Sequence, residues 1–529
     1  MSDYRKPGVY VEERLLTNSA GASTASATAL FVGPTGSGPL DTPVFCNSWT
    51  DYVTAFGNFD DINTPVAGVK ATSFVPFAVY SYFQNGGRPC YVQRAVGASS
   101  GTASSFVVND GAPSSPEDAF TVRARSAGTE GDRLGIKIID IDGAGSNKIF
   151  NLYIYLDEVE IERFQYLSAS GTESGTKTFV SAVNDPYSGS SYVEITSYDS
   201  TVIPNAITTI TPLDGGVDPA VPEAGEYLAA SKSAVEKIEG PIIVNHVGYK
   251  TNVLTEDGDP TYVMPNTFPS SEFGRGDVFI INDSIRPKLD SDTRAGYLSY
   301  AEGVLNDYAQ DSYIASYGPW LIVPNPKVSN ATITIPPGGA IAGTISRIDS
   351  TIGVFRAPAG IVANIPSAVG VDVKFTDTEL GDLNAANINI IRPVSGASIC
   401  IMGARTRKEY GVDRYISARR TLIYIKESLR RSTQYAMFEN NDSRLWNQLI
   451  ATAERFLRPV WEQGGLRGTS AREAFYIKCD STINTPSVIA SGEVRMEIGV
   501  ALEYPAEFIV IRVSQYESGG FTAEVQSRA

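Results

Sequence analysis

The chain has 529 residues, of which 42% are hydrophobic and 19% charged, and its formal net charge is −16. Single hydrophobic cores stop growing at about 250 to 300 residues, so this length predicts two or more domains. The acidic balance argues against the basic surface that nucleic-acid binding needs, and no segment approaches the roughly 20 uninterrupted apolar residues of a membrane-spanning helix. We therefore expect a protein that binds neither nucleic acid nor membranes.

Residues suited to catalysis or metal binding are scarce. The four cysteines are far apart and form no CxxC pair, which favours free thiols over a zinc site or a disulfide framework. The single histidine, His246, ends the apolar run PIIVNH, where a packed side chain is expected. Phosphate-loop, HExxH and GxSxG motifs are missing from the sequence. The sequence thus predicts no enzyme, no metal and no cofactor, and Asp214 and Asp218 in LDGGVD are interpreted as an acidic turn.

The first residues combine a short β-type run with a tether of small side chains. Pro7 and Gly8 precede the run Val9, Tyr10, Val11 and Glu12, and SAGASTASATA follows at residues 19–29. The start lacks the apolar core of a secretory signal, so we expect synthesis and assembly in the cytoplasm.

Helix and strand patterns alternate from Leu30. LFVG is predicted as a strand, the segment around Trp49 as a helix, SFVPFAVYSYFQNGG as a second helix, and CYVQRAV as a buried strand. From about Gly97 to Pro222 short alternating runs between Gly, Ser, Asn and Asp clusters indicate a β-rich domain.

The alternation then resumes and favours an α/β core. We predict a multidomain α/β or α+β protein with a discontinuous α/β core built from both ends of the chain, an inserted β-rich domain, and extended N- and C-terminal strand arms. The predicted units are an arm at 1–20, the core at 21–96 and 223–491, the insertion at 97–222, and a C-terminal strand and arm at 492–529.

The C-terminal third contains two amphipathic helix patterns and a strand pattern. In the first helix pattern apolar residues such as Ile423 and Leu429 form one face. Its basic face consists of Arg414, Arg419, Arg420, Lys426, Arg430 and Arg431. The second pattern, from Ser443, is expected to be limited by Pro459 and Gly464. Alternation from Val494 to Leu502 predicts a strand, and a further strand is predicted at 507–513.

Several of these segments resemble the contractile bacteriophage tail sheath protein family. PGVYVEE is similar to that family's N-terminal signature, and FQNGGRPCYVQRAV is similar to its Asn-Gly-Gly stretch. The strongest similarity is YGPWLIVPNP followed by IPPGGAIAGTISRIDSTIGVFRAPAG, in which Gly343 is expected to allow close packing and Arg347 and Asp349 to lie on the polar side. The insertion resembles the family only weakly.

The resemblance implies a structural subunit that polymerises with itself as hexameric rings stacked in a helix around a tail tube. The sheath would be metastable when extended, and its contraction would drive the tube through the host envelope for genome ejection. Partners would be further copies, the tail tube protein, and baseplate and tail terminator proteins, and the location would be the virion. Terminal strands would join neighbouring subunits by strand addition; we expect Val9, Tyr10, Val11, Glu12, Val494, Met496, Ile498, Phe508 and Val510 to take part. The basic helix face is the expected tube-facing surface, and an ordinary solvated or interdomain face is the alternative.

Three other functions stay open at this stage. One is the sheath of a headless contractile device, such as an R-type bacteriocin or an extracellular injection system. Another is an α/β hydrolase, for which His246 is the one available imidazole. The third is a carbohydrate-binding protein that uses Tyr153, Tyr155 and Tyr166 of the insertion, although tyrosines in short strands are more often packed against neighbouring strands.

Overall fold

The structure is a computed structural model that describes most of the chain. The described residues are 27–40, 42–59, 61–63, 70–97, 101–112, 114–142, 149–168, 177–185, 188–220, 222, 224–247, 273–283, 311–396 and 398–507.

The described residues form both strands and helices. The strands are β1 (Thr28–Gly33), β2 (Val44–Cys46), β3 (Asp61–Asn63), β4 (Lys70–Thr72), β5 (Cys90–Arg94), β6 (Ser105–Asn109), β7 (Asp118–Ala124), β8 (Leu134–Asp142), β9 (Ile149–Leu156), β10 (Val159–Ser168), β11 (Lys177–Thr178), β12 (Val193–Tyr198), β13 (Ile207–Pro212), β14 (Ile242–His246), β15 (Val278–Asp283), β16 (Ile314–Gly318), β17 (Leu321–Pro324), β18 (Thr332–Ile335), β19 (Gly370–Val371), β20 (Ile388–Pro393), β21 (Ile399–Ile401), β22 (Phe475–Lys478) and β23 (Glu497–Val500). The α-helices are α1 (Trp49–Phe56), α2 (Val75–Gln84), α3 (Phe179–Val183), α4 (Ala224–Lys237), α5 (Gly338–Thr351), α6 (Asp377–Ala385), α7 (Ile416–Ser432), α8 (Ser443–Glu462), α9 (Ala471–Ala474) and α10 (Pro486–Ala490).

Among the described residues, the core is an eight-stranded sheet in the order β2, β5, β1, β14, β15, β16, β20, β21. The strands from β5 to β20 run parallel, and the edge strands β2 and β21 are antiparallel to their neighbours. Phe31 and Phe279 point to the face covered by α2 and α5, whereas Leu30 and Val244 point to the face covered by α4. Parallel sheets are buried on both faces, which explains the continuous apolar runs of these strands.

Helices α2 and α5 pack with their backbones in close contact. A Cβ atom placed on Gly343 would collide with the carbonyl oxygen of Tyr82, and one placed on Gly339 would collide with that of Ala78. The prediction that Gly343 allows close packing is therefore confirmed, and Gly339 has the same role one turn earlier.

A buried carboxylate joins the central sheet to α5. Asp283, the last residue of β15, accepts hydrogen bonds from the backbone N–H of Gly338 at 2.5 Å and from Nδ2 of Asn245 at 2.9 Å. Burial raises the pKa of Asp283 to about 6, although both hydrogen bonds act in the opposite direction. Gly338 is the first residue of α5, so Asp283 stabilises the positive end of that helix.

Two further sheets share a core of their own within the β-rich segment. One has the order β11, β10, β9, β8, β13 and the other β12, β7, β6. Their shared core contains the rings of Phe120 and Phe179, whose centroids are 4.6 Å apart. The N–H of Gly97 donates to the carbonyl of Ala220 at 2.7 Å, so the two ends of the segment meet. The predicted boundaries, 97 and 222, stay a prediction.

The predicted fold class is confirmed, and most predicted helices and strands occur. Three local expectations are wrong. Helix α8 continues through Pro459 to Glu462, so Pro459 does not limit it, whereas the helix does end just before Gly464 as expected. β23 is a four-residue strand, and the Asp349 side chain is buried instead of polar-facing. The sequence RAGYLSYAEGVLNDYA at 294–309, whose pattern predicts a further helix, lies outside the described residues.

Candidate self-assembly surface

Strands β22 and β23 form a small antiparallel sheet near the C-terminal end of the chain. Their register pairs Phe475 with Val500 and Ile477 with Ile498. Within the part of the chain that the structure describes, each of these strands pairs only with the other. No described strand occupies either outer edge of the sheet, so their backbone groups are candidates for pairing with another strand.

One face of this sheet is packed on the helices of the C-terminal region. Ile477, Ile498 and Val500 contact Leu457 of α8, together with Ile425 and Leu429 of α7. Helix α8 is oriented by its N-cap, Asp442, whose carboxylate accepts from the backbone N–H groups of Arg444 and Leu445. An isolated two-stranded sheet would be only marginally stable. Packing on two long helices stabilises this sheet and fixes its position.

The predicted linking residues fall in two groups. Val494, Met496 and Ile498 are described, and each packs against the helices of its own chain. Val9, Tyr10, Val11, Glu12, Phe508 and Val510 lie outside the described residues. The linking role of both groups stays a prediction.

The last described residue, Glu507, is bound to the core of the molecule. Arg405 donates from Nε to one carboxylate oxygen of Glu507 at 2.9 Å and from Nη2 to the other at 2.5 Å. Both side chains are largely buried, and Arg405 also donates to the carbonyl of Asn384 at 2.7 Å. The point from which residues 508–529 continue is thus fixed to the elements around β20. No sequence motif signals this pair, because the two residues are 102 positions apart.

The basic residues of α7 do not form one exposed face. Arg420 is buried and paired with Asp349 of α5, and Arg419 is buried and paired with Asp413. The guanidinium of Arg419 also lies 4.3 Å from the ring centroid of Tyr313. The expectation of a continuous basic surface is therefore wrong for these two arginines, since cations in an apolar helix face need buried counter-charges.

The other basic residues of this group reach the surface to different extents. Arg430 and Arg431 are exposed at 40% and 39% and both bind Glu427, with N to O distances of 2.7 Å and 2.6 Å. Burial alone would raise the pKa of Glu427, but the hydrogen bonds from the two arginines hold it below its ordinary value. Nζ of Lys426 lies 3.4 Å from the carbonyl of Gly276, and Arg414 is half-buried just before α7.

The one histidine is held inside the core. His246 Nε2 lies 2.9 Å from Oγ of Ser231, whose hydroxyl is also 2.7 Å from the carbonyl of Tyr227. Burial lowers the pKa of His246 to about 4, so the ring is neutral near pH 7. Since Ser231 donates to that carbonyl, the imidazole donates to the serine. A general base would instead accept the hydroxyl proton of the serine, so this pair is not arranged to activate a nucleophile.

The described residues contain neither a candidate metal site nor a helix able to span a membrane. No group of three or more His, Cys, Asp or Glu side chains among them is arranged to hold a metal ion. None of the helices in those parts of the chain is long and apolar enough to cross a membrane.

Sequence comparisons match the C-terminal region to one family. Residues 414–515, which include β22 and β23, match the phage tail sheath C-terminal domain. A curated tail sheath protein from Enterobacteria phage T4 is 25% identical over 170 residues, which are 32% of this chain and 25% of that protein. The match thus spans about a quarter of the relative's length.

Structure comparisons extend the similarity to most of the chain. A sheath tail protein from Listeria innocua superposes with a TM-score of 0.55 at 11% identity, covering 88% of this chain and 91% of that one. The sheath complex of an extracellular contractile injection system, PVC, in its contracted state, gives 0.54 at 19% identity, covering 97% and 99%. The baseplate structure of the anti-feeding prophage gives 0.53 at 19% identity with the same coverage.

At these identities the structural likeness shows the fold, and the sequence match identifies the domain that carries β22 and β23. The resemblance to the contractile tail sheath family is thereby confirmed, by sequence over residues 414–515 and by fold over most of the chain.

Proposed function

We propose that this chain is the sheath subunit of a contractile phage tail. Copies assemble as stacked hexameric rings around the tail tube in a metastable extended state, and the sheath shortens to drive the tube through the host envelope and release the genome. The observation that carries this proposal is the β22–β23 sheet, whose two outer edges are unpaired among the described residues and which lies within a phage tail sheath C-terminal domain.

Strand addition at these edges explains how subunits stay connected. Each backbone hydrogen bond contributes a net of about 0.5 to 1.5 kcal/mol, so a single short strand binds weakly. Many such links along a helical polymer together bind its subunits strongly. The strands that fill the edges are the segments around Val9–Glu12 and Phe508–Val510 of neighbouring copies.

The fixed position of Glu507 supports this arrangement. Because Arg405 binds Glu507, a pull on residues 508–529 by a neighbouring copy acts on the core of the subunit. The subunit then moves as a body while the terminal segments keep their partners. The energy of contraction is stored in the extended lattice during assembly, so the sheath needs no nucleotide and acts as a structural protein.

The tube-facing surface that we propose is the remaining part of the basic group, Arg414, Lys426, Arg430 and Arg431. Partly exposed charges make weak contacts that break and form again as the sheath slides. The tail tube, baseplate and tail terminator proteins are the further partners. Assembly takes place in the host cytoplasm, the product is part of the virion, and the insertion projects outward.

Electron microscopy of truncated chains tests the proposal. The first truncation removes residues 1–20 and the second 508–529; the cut after Glu507 keeps β23 and Leu502, which belong to the C-terminal core. The full chain should form long striated hollow cylinders, and both truncated chains should stay monomeric with unchanged circular dichroism. Small particles of one size from the full chain would refute the proposal.

A headless contractile device is the second candidate, favoured by full-length structural similarity to the PVC and anti-feeding prophage proteins. The TM-scores of 0.54 for PVC and 0.55 for the Listeria innocua protein do not separate the two. Capsid and terminase genes beside the coding sequence would identify a phage, and their absence from a complete gene cluster would identify a device.

A further inference from the structure

The loop between α7 and α8 presents an aromatic side chain to solvent in a strained backbone conformation. Phe438 is 91% exposed, and its φ angle is +66°. Tyr435 and Met437 beside it are 45% and 41% exposed. We refer to Tyr435, Met437 and Phe438 as the knob. A bulky residue with positive φ is a rare outlier, and such strain persists only where the surroundings fix it.

The surroundings of the knob do fix it. The hydroxyl of Tyr435 lies 3.0 Å from that of Thr452 in α8. Nδ2 of Asn441 donates to the carbonyl of Glu493 at 2.8 Å, and Oδ1 of Asn441 accepts from the indole N–H of Trp446 at 2.9 Å. The loop is thus attached on both sides of Phe438, and the ring is held away from the protein. A preorganised aromatic residue of this kind is typical of an anchor in a protein interface.

The knob is continuous with the surface proposed for strand addition. Glu493, to which the loop is hydrogen-bonded, lies in the segment that leads into β23. Ala436, within the loop, packs in the same cluster as Val494 and Met496 of that segment. The loop therefore lies beside the N-terminal end of β23, at one end of the β22–β23 sheet.

We propose that the knob is a contact between copies of this chain, in which Phe438 inserts into an apolar site on a neighbouring copy joined at the β22–β23 sheet. This inference rests on the proposed function and adds a side-chain anchor to the backbone links. In the free subunit, exposure of the ring and strain at its backbone are both unfavourable. Assembly buries the ring and offsets both costs.

The substitution Phe438→Asn distinguishes the effect of Phe438 on the stability of the free subunit from its effect on assembly. Asparagine tolerates a positive φ, so the thermal midpoint of the monomer should stay the same or rise. Loss of one buried phenylalanine should raise the critical concentration for assembly by about tenfold to a hundredfold. Tyr166→Asn is a matched control, because Tyr166 is also aromatic, 57% exposed and at φ +56°, but lies in β10 of the insertion. It should leave the critical concentration unchanged.

The measurement is sedimentation of polymer across a concentration series of each full-length variant. Failure of the unmodified chain to assemble would refute the proposed function. Normal assembly of the unmodified chain with an equal critical concentration for Phe438→Asn would refute the knob contact alone. A fall in the monomer's thermal midpoint would show that Phe438 stabilises its own subunit, which would also overturn the inference.

A photo-crosslinking residue at position 438 identifies the partner. In polymer assembled without tube, benzoylphenylalanine at this position should give a covalent dimer of the chain. Crosslinks that form only within one chain, or only when tube protein is added, would overturn the assignment of the partner to a second copy.

Discussion

Arg420 of α7 and Asp349 of α5 form a buried bidentate ion pair. Nη1 of the arginine donates to Oδ1 of the carboxylate at 2.9 Å, and Nη2 donates to Oδ2. The pair connects the helix that covers the central sheet to the helix that begins the C-terminal region, so these two parts of the subunit are held together at this point.

Breaking this pair on one side should be costly. Arg420→Met leaves Asp349 charged and buried, and the free energy of unfolding should fall by about 3 to 5 kcal/mol. The double variant Arg420→Met/Asp349→Leu should recover most of that loss, because an apolar pair replaces the charges. Chemical denaturation of the three proteins measures both effects. A double variant no more stable than the single one would contradict the expectation.

The raised pKa of Asp283 should make the stability of the folded chain depend on pH. Its pKa is about 6 in the folded chain, raised from an ordinary value of 3.8 mainly by burial. The folded state therefore binds more protons than the unfolded state between these values, so Asp283 makes stability fall as the pH rises from about 4 to about 6. A difference of about two pKa units corresponds to roughly 3 kcal/mol.

The substitution Asp283→Asn isolates this effect. The amide oxygen of Asn still accepts from the N–H of Gly338, and nothing titrates. Its amide nitrogen faces Asn245, whose side chain must turn so that Oδ1, a buried atom without a hydrogen-bond partner, accepts in place of Nδ2 donating. Above pH 7 the variant should be as stable as the parent or more stable, and the decline between pH 4 and 6 should be smaller. Thermal melts at half-unit pH steps measure it; identical pH profiles for both proteins would show that Asp283 keeps an ordinary pKa.

Gly343→Ala should destabilise the core by about 1 to 3 kcal/mol, because the added methyl group meets the backbone of α2. Gly381→Ala is the matched control, since Gly381 is also helical but has no atom within 4 Å of an added Cβ. That change should stabilise the protein by up to about 1 kcal/mol through helix propensity. Thermal midpoints compare the two, and equal shifts would contradict the close packing of α2 and α5.

Loss of the Glu507 carboxylate should loosen the end of the C-terminal domain. Hydrogen bonds to charged groups contribute about 1.5 to 3 kcal/mol, so Glu507→Gln should speed amide hydrogen exchange at residues 501–507 by about tenfold to a hundredfold. Glu503→Gln removes the same charge from an exposed position and should have no such effect. Equal exchange in both variants would show that Arg405 does not hold this segment.

Local sequence patterns are sufficient to predict most elements of the central sheet and its covering helices. Continuous apolar runs predict β1, β14 and β15 because both faces of a parallel sheet are covered, and the PPGGAIAG segment predicts the close approach at Gly343. The burial of Arg419 and Arg420 in ion pairs is not predictable from the sequence. An arginine on a helix shows its charge in the sequence, but its counter-charge at Asp349 is 71 residues away and became its neighbour only through folding.

The candidate assembly surface was predicted only in part. Alternation of apolar residues after Val494 identifies a strand, but it cannot say whether that strand's partner belongs to the same chain or to another. The structure pairs β23 with β22 of its own chain. The knob has no signature in the sequence, because the strain at Phe438 depends on the path of the loop between two packed helices.

The hydrogen bond between Gly97 and Ala220 brings the two ends of the insertion together in a stem. Its core residues all lie between Ala103 and Leu213. Backbone hydrogen bonds between Gly97 and Ala220, and in both directions between Thr102 and Val217, join the two chain crossings at its base. Ser126 and Ala127 of the insertion also bind Gly38 and Arg94 of the core. A foreign domain with closely spaced termini can therefore be grafted at this stem in place of the native one. In the sheath proposed above, such a graft would repeat with every subunit and give a regular display scaffold.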